Sequence, residues 1–218
     1  MGKMIIITPE QQLLLDHFKL DSSLPSRFYF SGGTALSLYY LQHRESVDLD
    51  FFSEKEFAPQ EILEKVTSWA EKHQCTVEYV PLAQTHVFNI TFPNNKTVKV
   101  DFVFYPYKSV GESQVIDGIS IDSELDIAVN KLLVAEQRAE VKDFVDLYFL
   151  LQKFTVWDLI EGVRQKFKVS LDPFIVGSDF FKVEGFDYLP KMLKTLTLDE
   201  LKSFFKQKSK EIGTKSVE

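Results

Sequence analysis

FYFSGGTALSLYYLQHRESVDLDFF, residues 28–52, is the stretch that decides the fold. Its aromatic opening predicts a short β-strand, and the pair Gly32-Gly33 predicts a tight turn directly after it. Thr34 is expected to cap the helix that follows, because threonine is favoured at that position and an apolar run comes next. The closing DLDFF predicts a second strand, so the whole stretch is expected to form a strand–turn–helix–strand unit.

Two features of this unit point to phosphate chemistry. A glycine turn that leads into a helix presents free backbone N–H groups, which bind phosphate readily. Asp48 and Asp50 are separated by one residue, so in a strand both carboxylates point to the same face. Taken singly, a Gly-Gly pair is most often a plain turn, and two such aspartates are usually the wet side of an edge strand. Because they occur together and in this order, we predict a metal-assisted phosphoryl or nucleotidyl transfer site.

The predicted ligands of this site fall into a phosphate set and a metal set. The phosphate set is Ser31, Gly32, Gly33 and Thr34. Asp48 and Asp50 are the predicted ligands of Mg²⁺ or Mn²⁺, because these hard cations prefer oxygen.

Asp101 is a candidate third carboxylate. It lies in TVKVDFVF, residues 97–104, which predicts a strand with Val100 and Phe102 on the face opposite to Asp101. If this strand neighbours the first two acids, Asp101 would complete a cage for one or two Mg²⁺ ions. The alternative is a solvent-facing residue of a hairpin.

A basic stripe is expected on a helix at about residues 123–138. Ala135, Arg138 and Lys142 lie within about 40° of Lys131 at ~100° per residue, if the helix continues that far. Lys131 and Arg138 would then bind triphosphate oxygens and stabilise developing negative charge. The alternative is a solvated helix face.

The composition is that of an ordinary globular protein. The chain has 218 residues, 44% hydrophobic and 26% charged, and its net charge of −7 excludes a surface that is basic overall, so any RNA contact needs a local basic patch. Cys75 is the only cysteine, which excludes an intramolecular disulfide and a thiolate metal cluster. No apolar run approaches the roughly 20 residues that span a bilayer. We therefore expect a cytoplasmic protein without a membrane segment.

The remaining patterns predict an α/β fold. Helices are expected at about residues 9–19, 59–73 and 123–138, and in KDFVDLYFLLQKF, WDLIEGVRQKF and LTLDELKSFFKQKSKEI; strands are expected at 75–80, 86–92 and 97–104. These elements predict a small mixed β-sheet core with flanking helices, residues 1–120, and a helical C-terminal part, residues 121–218, packed on it. The boundary is soft, and the chain could equally form one domain.

GGTAL followed by DLDFF resembles the nucleotidyltransferase fold of the AbiEii/AbiGii toxin family, whose core is related to that of DNA polymerase β. KDFVDLY, residues 142–148, resembles the KD-x-x-DLY motif that follows the catalytic lysine helix of these toxins, and the resemblance covers about residues 26–152. It implies that Lys131 is the catalytic lysine and that Asp146 or Asp143 is the functional acid. Asp143 could equally be a structural partner of Arg138.

The resemblance also implies an activity. It implies a metal-dependent nucleotidyltransferase that moves a nucleoside monophosphate from a nucleoside triphosphate to an acceptor hydroxyl, with RNA, at the 3′ end of tRNA, as the acceptor of some relatives. It further implies the toxin of a toxin–antitoxin pair, with a cognate antitoxin protein. The alternatives are nucleotidyl or phosphoryl transfer to a small molecule or a protein, and a non-catalytic module that binds a nucleotide or a partner on the same fold.

Overall fold

A computed structural model describes residues 6–215, with the side chain of Lys215 left out. The described residues form two compact units. The sheet unit comprises residues 6–40, 46–108 and 112–122, and the helical unit comprises residues 41–45, 109–111 and 123–215. The fold is mixed α/β, which confirms the predicted class.

The described part of the sheet unit contains one mixed sheet of seven strands. The strands are β1 (Tyr29–Ser31), β2 (Asp48–Ser53), β3 (Thr76–Pro81), β4 (Thr85–Thr91), β5 (Thr97–Phe104), β6 (Gln114–Ile116) and β7 (Ile119–Ile121). Their order across the sheet is β3-β4-β5-β2-β1-β7-β6, so β2 is the central strand. It pairs in parallel with β5 and antiparallel with β1.

Three helices and one π-helical turn belong to the first half of the chain. They are α1 (Pro9–Leu20), α2 (Gly32–Ala35), the π-helix Leu36–Leu41 that continues α2, and α3 (Pro59–Lys72). Leu49 and Phe51 of β2 are fully buried, and the ring of Phe18 from α1 stacks on Phe51 at a centroid distance of 3.9 Å. Because side chains alternate along a strand, this packing leaves Asp48 and Asp50 half-buried on the opposite face.

The predicted cap of the second helix is wrong. Ser31 occupies the N-cap position, and its side chain makes no capping bond. Thr34 lies inside the helix, and its hydroxyl donates to the backbone oxygen of Asp48. The reason is that Gly32, at φ +74°, makes the turn as the first helical residue, so the helix starts three residues earlier than the capping pattern indicates.

The hairpin of β6 and β7 was not predicted from the sequence. Its two-residue turn is Asp117-Gly118, with φ values of +50° and +80°. An Asp-Gly pair between short β-branched runs is a recognised hairpin signal, and VIDGISI contains it. The signal was therefore present, although each strand has only three residues.

The described part of the helical unit consists of helices around an aromatic core. They are α4 (Glu124–Gln137), α5 (Val141–Leu150), α6 (Val156–Phe167), α7 (Pro173–Asp179), a 3-10 helix (Phe180–Gly185) and α8 (Leu198–Lys215). Phe144, Phe180 and Phe205 are buried, and Phe205 makes edge-to-face contacts with both other rings at 5.0–5.1 Å. None of the described helices is long and apolar enough to cross a membrane.

Candidate active site

An acidic face lies at the centre of the sheet. In the parallel pairing of β2 with β5, Asp48 is opposite Lys99 and Asp50 is opposite Asp101. Residues in register on neighbouring strands share a face at a strand spacing of about 4.8 Å. The structure therefore places Asp101 beside the two predicted metal ligands, with 8% of its surface exposed.

Lys99 is the residue of this face that the sequence reasoning missed. Its ammonium lies 2.5 Å from Oδ2 of Asp101, two residues along the same strand. Burial alone would lower the pKa of Lys99, but the bond to Asp101 and the negative charges of Asp101, Asp48 and Asp50 raise it. The alternation Lys-x-Asp in a strand was the available signal, because it puts the two side chains on one face.

The acidic face has the oxygen donors that Mg²⁺ prefers. Within the part of the chain that the structure describes, however, no group of three or more Asp, Glu, His or Cys side chains is arranged to hold a metal ion. Asp48 and Asp50 fit a divalent cation by charge and donor type. Asp101 fits by position, but its carboxylate is paired with the Lys99 ammonium.

Gly32 brings the glycine turn and the acidic face together. A Cβ atom at Gly32 would lie 2.9 Å from Cγ of Asp50 and still closer to one carboxylate oxygen, which is far inside normal contact. The Asp50 carboxylate therefore rests directly against the Gly32 backbone. With φ at +74°, Gly32 is also in a conformation that other residues rarely adopt.

The predicted phosphate residues have two different environments. Ser31 and Thr34 are each 1% exposed, and both hydroxyls bind within the protein. Ser31 Oγ donates to Oδ2 of Asp122 at 2.7 Å, and Thr34 donates to the backbone of β2. Gly32 and Gly33 are only half-buried, so the two glycines are the members of the set with partly accessible backbone.

A buried charge cluster lies in the helical unit, centred on Asp146 of α5. Arg44 binds this carboxylate with two nitrogens, Nε at 2.6 Å and Nη2 at 2.8 Å, and Nε2 of His43 lies 2.7 Å from Oδ1. Lys131 of α4 lies 2.6 Å from Oδ2. Burial alone would raise the pKa of Asp146, but the charges of Lys131 and Arg44 and the bonds from His43 and Arg44 hold it well below its usual range. The carboxylate is therefore fully ionised and fully engaged.

Lys131 bridges both acids of the KDFVDLY motif. Its ammonium also lies 2.7 Å from Oδ1 of Asp143, and 11% of its side chain is exposed. Burial alone would lower the pKa of Lys131, but Asp146 and Asp143 raise it, so the group stays charged at neutral pH. Both acids thus contact the predicted catalytic lysine, and Asp143 also binds Nε of Arg138 at 2.9 Å.

The helix of the basic stripe does not continue to Lys142. Helix α4 ends at Gln137, and Arg138 follows it in an extended conformation with φ −146° and ψ 159°. Lys142 belongs to the next helix, α5. The side chain of Arg138 nevertheless reaches the cluster by pairing with Asp143 after the helix has ended.

His43 and Arg44 were not predicted as members of this cluster. They precede β2 in the chain and lie 103 and 102 residues before Asp146. No local pattern reports a contact over that separation.

Comparison with known proteins gives one family and several similar folds. The family model described as "Nucleotidyl transferase AbiEii toxin, Type IV TA system" matches residues 13–216. An uncharacterized protein of Aquifex aeolicus, aq_aa25, is 31% identical over 192 residues, which cover 84% of this chain and 87% of that protein.

Two of the solved structures that match agree in fold over nearly the whole chain. A putative nucleotidyltransferase from H. pylori has a TM-score of 0.61 and 23% identity, with 96% of this chain and 97% of that chain covered. MenT4, a nucleotidyltransferase toxin from Mycobacterium tuberculosis H37Rv, has a TM-score of 0.55 and 15% identity, with 92% and 82% covered. At these identities the likeness concerns the fold.

Proposed function

This chain belongs to the family of nucleotidyl transferase AbiEii toxins of type IV toxin–antitoxin systems, and on that basis we propose that it moves a nucleoside monophosphate from a nucleoside triphosphate to a hydroxyl of RNA. Family and fold together support a nucleotidyltransferase. The observation that carries the proposal is the contact of the Asp50 carboxylate with the Gly32 turn on the central strand. A phosphate-binding backbone and an acidic face that suits a metal ion are thereby adjacent.

For the metal we propose Mg²⁺ or Mn²⁺ held by Asp48 and Asp50, with Asp101 as a third ligand. When bound, the ion would neutralise charge on the phosphates of the nucleotide. The two carboxylates share one face of a strand that is paired along both edges, so their relative position is fixed by the sheet. Because their position is fixed, the two carboxylates do not have to rearrange when the substrate binds.

For the nucleotide phosphates we propose the backbone N–H groups of Gly32 and Gly33. Ser31 and Thr34 would hold the glycine turn in place for phosphate binding, because their hydroxyls anchor the turn to Asp122 and to β2. The turn is therefore held at both ends by hydrogen bonds within the protein. A turn held in this way is pre-organised, so presenting its N–H groups costs less conformational entropy at the moment of binding.

In the helical unit we propose Lys131 as the catalytic cation, with Arg138 as a second phosphate-binding group. Asp146 would act by holding Lys131, since its oxygens are already bound to Arg44 and His43. A lysine that is fixed between two carboxylates keeps its charge and its position. These are the properties that stabilise negative charge as it develops on phosphate.

The acceptor, the partner and the location are proposed on the family alone. We propose the 3′ end of tRNA as the acceptor, an antitoxin protein as the biological partner, and the cytoplasm as the compartment. The single cysteine is consistent with a reducing compartment.

Transfer of label from nucleotide to RNA tests the reaction. We expect label from α-³²P nucleotide to enter a tRNA-containing RNA pool, with release of pyrophosphate and a requirement for Mg²⁺. Label that enters from γ-³²P nucleotide would make the protein a kinase, and label in protein but not in RNA would change the acceptor. No incorporation from any of the four nucleotides would contradict the proposed activity.

Neutralising both acids of β2 should abolish metal binding without unfolding the protein. In the variant Asp48→Asn, Asp50→Asn, calorimetric titration with Mn²⁺ should detect no binding, because both charged ligands are gone. The melting temperature should stay the same or rise slightly, since two like charges on one face no longer repel each other. The matched control is Glu54→Gln, Glu56→Gln, which removes two charges from exposed positions just after the same strand. Equal Mn²⁺ affinity in the acid variant and the control would refute the assignment.

A further inference from the structure

Lys99 occupies a position on the acidic face that is suited to a cation. Its Cα is in register with that of Asp48, and its ammonium lies 2.5 Å from Oδ2 of Asp101. Asp101 is in turn opposite Asp50. A single lysine thus stands among all three carboxylates that are proposed as metal ligands.

The charges of this face determine what Lys99 does there. Among these four groups, three carboxylates and one ammonium sum to a charge of −2, which is the charge that one divalent ion carries with opposite sign. Without the ammonium, the same face would carry three negative charges within neighbouring positions of two strands. Like charges in such positions repel each other, so the lysine stabilises the face when no metal is bound.

We infer that Lys99 is a built-in competitor of the divalent metal ion: it holds Asp101 in the metal-free protein and has to release it when the ion binds. The inference rests on the proposed function, because it presumes that Asp48 and Asp50 bind the ion.

The release of Asp101 is physically easy. The Lys99 side chain is 37% exposed and has a flexible stem, so its ammonium can move into water while the strand stays in place. Asp101 is buried and stays in place on the strand, so the exchange leaves its carboxylate available to the divalent ion, which carries twice the charge of the ammonium that it replaces. Phosphate oxygens of a nucleotide would add ligands to the ion and favour the exchange further, as is usual for Mg²⁺ sites.

Removing the lysine charge should therefore strengthen metal binding. We expect Lys99→Gln to lower the dissociation constant for Mn²⁺ about tenfold in calorimetric titration without nucleotide, because a positive charge beside the ligands is gone. Lys99→Arg keeps the charge and should stay within about twofold of the wild type. Lys96→Gln is the matched control, since it removes a lysine charge from the turn just before β5, where the side chain is 58% exposed and pairs with Glu10. It should also stay within about twofold.

A second measurement follows the lysine itself. Acetylation of Lys99 by an amine-reactive ester, followed by mass spectrometry, should become faster as Mg²⁺ is added, while acetylation of Lys96 should not change. A rate for Lys99 that is independent of Mg²⁺ would overturn the displacement. This readout does not depend on enzymatic activity.

The outcomes separate the inference from the proposed function. If the wild type and Lys99→Gln bind Mn²⁺ equally well, the competitor role is refuted and the metal site stands. If Lys99→Gln and Lys96→Gln strengthen Mn²⁺ binding equally, the effect comes from the loss of a positive charge from the protein as a whole and not from the position of Lys99. The competitor role is then also refuted. If neither the wild type nor Lys99→Gln binds Mn²⁺, both the metal site and the competitor role fail. Binding by Lys99→Gln alone supports the inference.

Discussion

Gly32→Ala is expected to lower nucleotidyl transfer by at least about a hundredfold in a protein that still folds, because an error of about 1 Å in a catalytic group has effects of that size. The new Cβ would overlap the Asp50 carboxylate, so Asp50 has to move away from the turn. The φ of +74° adds strain of about 1–2 kcal/mol for any residue with a Cβ. Steady-state transfer rates and thermal unfolding, measured on the same preparations, test both effects.

Gly118→Ala separates the strain from the overlap. Gly118 has a similar φ of +80°, but nothing lies within 4 Å of where its Cβ would be. This variant should lose only the stability that the backbone strain costs, which is less than the loss in Gly32→Ala, and it should keep its activity. Full activity in Gly32→Ala would show that Asp50 does not need its place against the glycine turn.

Asp146→Ala should cause the largest loss of stability. Removing the carboxylate leaves Arg44 and Lys131 as buried cations without their shared partner, which costs about 3–5 kcal/mol in the free energy of unfolding. For a chain of this size the melting temperature should fall by roughly 6–20 °C, at about 2–4 °C per kcal/mol. Differential scanning calorimetry is the appropriate measurement.

Glu161→Ala is the control for Asp146→Ala. Glu161 also binds an arginine, Arg164, at 2.6 Å, but both side chains are about half exposed, at 46% and 60%. Water replaces such a partner readily, so the melting temperature should not change measurably. A melting temperature for Asp146→Ala that equals that of this control would mean that the cluster adjusts to the loss of its central acid.

Several secondary-structure elements that are determined by local sequence patterns were predicted correctly. The alternation of charged and apolar residues in DLDFF predicted β2 and its two faces. The helix expected at about residues 9–19 is α1, and it begins at Pro9, where Thr8 forms a capping box with Gln11. The same kind of reasoning misplaced the cap at Thr34. There the backbone conformation of a single glycine outweighed the capping preference.

Long-range pairs were beyond the reach of these patterns. Arg44 and His43 meet Asp146 only because the fold brings α5 to residues 41–45 of the same unit. The sequence did not predict that Lys99 belongs to the site, because its position opposite Asp48 depends on the register between β5 and β2. Register is set by the whole sheet, and one strand alone does not reveal it.

Because β2 is the central strand, the same register that packs its apolar side chains into the hydrophobic core also determines where Asp48 and Asp50 lie. A slip of β2 by one residue against β1 and β5 would turn Asp48 and Asp50 toward Phe18 and expose Leu49 and Phe51. Such a slipped sheet would bury two carboxylates against aromatic rings, which is costly for charged groups. The register that packs the core is therefore also the register that presents the two acids on the other face.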